Sequence, residues 1–109
     1  MQPQGHVQVL LNQIAFNYTP QAALDAPRFC IGAELIPGDG HGRKVFLEEG
    51  ISEETCEKLK SMGHQAEVVS GYKRGVFGRG QVIRCHAEDG RVVYSGGSDP
   101  RGDGAAYPG

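Results

Sequence analysis

Two prolines confine what the first quarter of this chain can become. Pro20 follows Asn17-Tyr18-Thr19, and Pro27 follows Ala26. A helix between them begins where proline's fixed φ suits the first turn and ends where proline pushes the residue before it out of the α region. Thr19 is placed to accept from the free N–H groups of that helix. Ahead of it, Val7, Leu10, Leu11 and Ile14 recur at helical spacing within His6 to Phe16, and Val9 and Phe16 widen the apolar face. The pattern predicts a mostly buried helix, a break at Asn17 to Pro20, a short second helix over Gln21 to Ala26, and an extended exit through Arg28-Phe29-Cys30.

Downstream, Phe29 to Ile36 reads as a strand interrupted by Gly32, and Pro37-Gly38-Asp39-Gly40-His41-Gly42 reads as a turn whose glycines permit positive φ. It is no phosphate cradle, because no Gly-Lys-Ser/Thr follows and no helix opens there. Arg43 to Glu48 alternates as a short strand with Val45 and Leu47 on one side. Ser52 then caps a helix in which Glu53 and Glu54 sit at the positive end of the dipole and Lys58 and Lys60 toward the negative end. Cys56, Leu59 and Met62 are its expected inward stripe, Ile51 its staple against Cys56, Glu54 and Lys58 an i,i+4 pair, and Gly63 its left-handed end. Ala66 to Ser70 reads as another strand.

Gln81 to Ala87 and Arg91 to Ser95 form a hairpin about Asp89-Gly90, a pair suited to a type I′ turn. With Glu88 opposite Arg91, the register puts Ile83, Cys85, Ala87, Val92 and Tyr94 on one face, which is expected to seek a core. Arg84, His86, Glu88, Arg91 and Val93 share the other. Cys85 and His86 therefore point to opposite faces and are a poor nucleophile and base; they read as a buried thiol and a surface imidazole.

At 109 residues the chain is one domain at most, able to bury roughly 60–65% of its extended surface. A hydrophobic fraction of 39% with 17 glycines makes it loop-rich, so part of its core is suited to another polypeptide surface. The stretch Gly71 to Gly80, with Tyr72, Lys73, Arg74, Phe77 and Arg79, taken alone resembles a single-strand stacking platform. A net charge of −2 argues against nucleic acid. No apolar run approaches a membrane span, and no signal peptide opens the chain. If Met1 is an internal methionine of a longer parent, a secretion signal would have preceded it, so the compartment stays open. Cys30, Cys56 and Cys85 are odd in number and widely spaced, which favours buried thiols. A zinc site combining them with His41, His64 or His86 lacks paired-ligand spacing, and no cofactor is expected. Arg101-Gly102-Asp103 matches an adhesion tripeptide in letters only.

Four ordered blocks carry a resemblance: QPQGHVQVLLN from Gln2, PQAALDAPRF from Pro20, FGRGQVI from Phe77 and YSGGSDPRGDGAA from Tyr94. Together they resemble the C-terminal part of the small subunit of γ-glutamyltransferases (γ-glutamyltranspeptidases), the glutathione-processing N-terminal-nucleophile hydrolases. The resemblance implies an α+β fold, the C-terminal portion of an αββα sandwich with mixed or antiparallel strands and about three helices, residues 1–109 being a single or partial domain. It also implies a catalytic threonine, substrate-holding residues and an oxyanion glycine pair, all expected before Met1. Thr19 reads as a cap and Thr55 lies inside a helix, so no catalytic residue and no metal ligand is assigned. Gln2, Gln4 and His6 are the residues expected closest to the chemistry.

The expected partners are the large subunit and the N-terminal part of the small subunit, with self-association through exposed strands left open. The function implied is structural: the closing part of an enzyme transferring a γ-glutamyl group to water or an amino acid, inactive by itself. An inert α+β interaction module, or part of a related cephalosporin or glutaryl acylase, are the alternatives.

Overall fold

The computed structural model describes residues 1–32 and 44–107. In chain order the described elements are α1 (Gln2–Ile14), α2 (Pro20–Asp25), β1 (Phe29–Ile31), β2 (Lys44–Glu48), α3 (Glu53–Ser61), β3 (Gln65–Val69), a 3-10 helix (Gly71–Phe77), β4 (Gln81–Glu88) and β5 (Arg91–Ser98). The class is α+β, as expected. The turn expected over Pro37 to Gly42, the end of the strand expected to reach Ile36, and the start of the next at Arg43 lie outside the described residues. Two compact units form, one from Met1–Gly5 and Pro27–Gly78, the other from His6–Ala26 and Arg79–Gly109.

The first unit is built on a three-stranded sheet in the order β1-β2-β3. β1 runs antiparallel to β2, with Phe29 opposite Leu47 and Ile31 opposite Val45. β2 runs parallel to β3, Lys44 opposite Gln65 and Glu48 opposite Val69. Parallel neighbours need a crossover, and α3 supplies it. Ser52 caps α3 by accepting from the Thr55 N–H at 3.2 Å, and Gly63 takes the positive φ of 95° that ends it. Cys30, Val69 and Phe77 form the core, with Met1 and Phe46 packed against it. One element of the expected stripe is corrected: Cys56 is buried and Leu59 half-buried, but Met62 is exposed. The helix ends at Ser61, so Met62 belongs to the closing turn and leaves the stripe. The expected pair of Glu54 with Lys58 is corrected as well: on the exposed side Lys60 lies 3.6 Å from Glu57, one turn earlier, instead.

The second unit holds the β4-β5 hairpin with α2 against it. Register and turn are as expected: Glu88 lies opposite Arg91, and Asp89 and Gly90 have φ of 49° and 76°. Thr19 caps α2 by accepting from the Ala22 N–H at 3.2 Å, with Pro20 in the first turn.

Which face is covered is not as expected. A Cβ on Gly97 would fall 2.8 Å from the Gln21 nitrogen and 2.9 Å from the Pro20 carbonyl carbon. α2 therefore docks on the face shared by Gly97, Val93 and His86, where the bare glycine admits backbone. Ile83, Val92 and Tyr94, expected to seek a core, are exposed. For the same reason the Cys85 thiol is exposed and His86 is half-buried, the reverse of the sequence reading.

α1 is corrected likewise. Its amide-bearing side turns inward: Asn12 Nδ2 donates to the Ala23 carbonyl of α2 at 3.4 Å, Gln13 Nε2 donates back to the Val9 carbonyl at 3.4 Å, and Gln13 is the helix's buried residue. The stripe of Val7, Leu10, Leu11 and Ile14, expected to be mostly buried, is left exposed, Ile14 at 74%.

Candidate functional site

Within the first unit the opening segment is held by a side-chain amide. Gln4 Nε2 donates to the Ile31 carbonyl at 3.1 Å, and the Ile31 N–H donates to Gln4 Oε1 at 2.8 Å. The carboxamide thus offers the donor and acceptor that a neighbouring strand would present. Met1, one turn earlier, packs on the core cluster. Of the other residues expected near the chemistry, Gln2 and His6 are exposed on α1.

Close by in chain order, Arg28 and Glu48 are buried together. The Arg28 N–H donates to Glu48 Oε2 at 2.9 Å, and the Glu48 N–H returns to the Arg28 carbonyl at 2.9 Å. Arg28 Nη1 reaches the carbonyls of Phe77 at 3.2 Å and Gly78 at 3.5 Å. Arg74, from the 3-10 helix, supplies a guanidinium 3.5 Å from Glu48 Oε1. The strand exit expected at Arg28 is therefore tied to β2 and to the end of the 3-10 helix.

The second unit has a corresponding arrangement in its closing segment. Asp99 and Arg101 form an ion pair of 2.9 Å with both side chains 1% exposed. Asp99 Oδ2 accepts from the Gly80 N–H at 2.7 Å and Oδ1 from the Arg101 N–H at 2.9 Å. Arg101 donates from Nη1 to the Leu24 carbonyl at 2.7 Å and from Nη2 to the Ala26 carbonyl at 3.0 Å, satisfying carbonyls that the end of α2 leaves open. Gln21 repeats the strand mimicry of Gln4: its Oε1 accepts from the Ser98 N–H at 2.9 Å and its Nε2 donates to the Ser98 carbonyl at 2.8 Å. Sequence reasoning passed over this lock. The available signal was Asp99-Pro100-Arg101, since an aspartate before a proline bend readily accepts from the backbone two residues on.

The chemistry these groups can do is attachment. Both threonines are occupied at helix starts, Thr19 as a cap and Thr55 with its hydroxyl 2.8 Å from the Ser52 hydroxyl. Cys30 and Cys56 are buried, and Cys85 is exposed. Among the described residues no three His, Cys, Asp or Glu side chains are gathered to hold a metal, His41 lying outside them, and no described helix is long and apolar enough to cross a membrane.

Over residues 1–109 the sequence matches the family model described as gamma-glutamyltranspeptidase. It is 34% identical over 105 residues to the glutathione hydrolase-like YwrD proenzyme of Bacillus subtilis (strain 168), a match covering 96% of this chain and 19% of that protein. Among solved structures, the cephalosporin acylase from Bacillus halodurans superposes with a TM-score of 0.74 at 39% identity, over 98% of this chain and 18% of that one. A mutant Helicobacter pylori gamma-glutamyltranspeptidase does so with a TM-score of 0.72 at 25% identity, over 92% of this chain and 48% of that one. The chain thus spans about a fifth of the length of the curated relative it matches.

Proposed function

The chain belongs to the gamma-glutamyltranspeptidase family, and from that premise we propose that it is the structural closing part of a γ-glutamyltransferase or glutathione hydrolase-like enzyme. The nucleophilic threonine, its α-amino base and the oxyanion donors are supplied by the preceding part of the small subunit, and the large subunit is the other partner of the assembly. Residues 1–109 act as one contribution to that assembly. Gln2, Gln4 and His6 stand nearest the reacting groups, and the acyl group transferred is γ-glutamyl, to water or an amino acid.

One observation carries this reading. Val7, Leu10, Leu11 and Ile14 of α1 and Ile83, Val92 and Tyr94 of the hairpin, large apolar side chains on regular elements, are left to solvent. Surface of that kind suits a further protein layer. The test is turnover of a chromogenic γ-glutamyl anilide. The purified chain gives none, and assembly with the threonine-led part of the enzyme restores it. Sustained turnover by the chain alone, abolished by a substitution within it, would overturn the scaffold role.

The 39% identity to the Bacillus halodurans cephalosporin acylase supports a second reading, in which the assembled enzyme removes an acyl side chain from a cephalosporin. Offering the assembled enzyme both amides decides between them, because the preferred one sets the higher kcat/KM.

A further inference from the structure

We propose that Gln4 is a positioning residue: its carboxamide pins the opening turn of α1 to the outer edge of β1 and so holds the chain that leads into α1 at a fixed register. This inference rests on the reading above, in which Gln2, Gln4 and His6 stand nearest the reacting groups.

The geometry is specific to a carboxamide. The Ile31 N–H donates to Gln4 Oε1 at 2.8 Å while Gln4 Nε2 donates to the Ile31 carbonyl at 3.1 Å. One planar group must accept and donate at once on a backbone whose N–H and C=O face the same way. On its other side β1 is bonded to β2, with the Gly32 N–H donating to the Lys44 carbonyl at 2.8 Å and the Glu48 N–H to the Arg28 carbonyl at 2.9 Å. Gly32 and Arg28 are therefore held by β2 on one side of the strand, and Ile31 between them by Gln4 on the other. Met1 fills the core beside Cys30 and Phe77, so the segment is fixed both by a polar register pin and by an apolar foot. Displacements of about 1 Å at reacting groups lower rates roughly hundredfold without any contact to substrate being lost.

Glutamate at position 4 provides the discriminating variant. A protonated carboxyl has the carboxamide's pattern, its O–H donating to the Ile31 carbonyl and its C=O accepting from the Ile31 N–H. Once ionised it only accepts, and it faces the Ile31 carbonyl oxygen with like partial charge. Three measurements on the assembled enzyme test the pin: kcat and KM for Gln4→Ala, the ratio of Gln4→Glu to parent kcat as a function of pH, and hydrogen exchange of the Ile31 amide. Gln4→Ala is expected to lower kcat roughly tenfold to hundredfold with KM held within about twofold. Ile31 exchange in that variant is expected to quicken on the order of tenfold. The Gln4→Glu ratio should recover toward one as pH falls through the carboxyl range.

Unchanged Ile31 exchange in Gln4→Ala overturns the pin whatever the activity. Quickened exchange with kcat unmoved, or a Gln4→Glu ratio flat with pH, overturns its role in positioning. Should the parent assembly turn over neither the γ-glutamyl nor the cephalosporin amide, the functional reading falls and the positioning role with it, while exchange at Ile31 still reports whether the pin exists.

Discussion

Each unit contains a buried arginine, and the two are used differently. Arg101, in the second unit, meets its carboxylate directly: Asp99 lies 2.9 Å away, two residues earlier, and the same guanidinium closes the carbonyl end of α2. Arg28, in the first unit, meets Glu48 through its backbone N–H at 2.9 Å and sends Nη1 to the carbonyls of Phe77 and Gly78, while Arg74 approaches the carboxylate from the other side. The difference teaches how each unit would respond to losing its arginine. Removing Arg101 takes the guanidinium from a buried carboxylate that keeps its backbone N–H donors, and breaking such a pair from one side costs about 3–5 kcal/mol. Removing Arg28 takes the Nη1 bonds from the Phe77 and Gly78 carbonyls while the Arg74 guanidinium stays 3.5 Å from Glu48 Oε1, and the loss of such bonds from a charged donor costs about 1.5–3 kcal/mol.

The comparison is sharpest under substitution, with stability read from urea unfolding. Arg101→Met should produce the largest loss, about 3–5 kcal/mol, and Asp99→Asn in the same background should recover part of it by removing the stranded charge. A loss below about 1 kcal/mol would show that the buried pair is not the clasp of the second unit. Arg28→Met should cost less, about 1.5–3 kcal/mol, with Arg74 becoming more sensitive to substitution in its absence. If Arg28→Met proves the more damaging, Arg28 and not Arg101 is the stronger clasp. The smallest effects belong to the caps, where the two units should agree: Ser52→Ala and Thr19→Ala are each expected to cost about 1 kcal/mol. A much larger penalty for Thr19 would mean that α2, only Pro20–Asp25, needs its cap more than α3 does.

How far the sequence reached depended on the distance over which each signal acts. Ser52, Gly63, Thr19 and the Asp89-Gly90 turn are local devices, and each is found in the conformation its chemistry demands. The hairpin register was equally legible, because the turn sets the pairing. Which face of that hairpin is covered was not. Both faces carry branched apolar residues, and the deciding feature is a glycine, Gly97, whose lack of a side chain admits α2. Apolar content thus marked Ile83, Val92 and Tyr94, whereas room for backbone chose the opposite side. α1 repeats the lesson, its Asn12 facing inward to a carbonyl of α2 and its Gln13 buried beside it. Of the groups around the candidate site, Gln4 was singled out by resemblance alone. Its partner Ile31 is 27 residues away, as Arg101's partner at Leu24 is 77 away, and no short-range pattern encodes such pairings.

The bond from Arg28 Nη1 to the Gly78 carbonyl, 3.5 Å long across a separation of 50 residues, also bears on how the second unit comes together. That unit is drawn from His6–Ala26 and Arg79–Gly109, with the first unit's chain from Pro27 to Gly78 intervening. Closing a flexible excursion of that length costs about 3.5 kcal/mol in chain entropy, from 1.5RT ln n. Once the excursion has folded, its two ends are already tied together at Arg28 and Gly78, and most of that cost has been met before α2 and the hairpin seek each other. The order of events this favours is intervening segment first, flanking segments second.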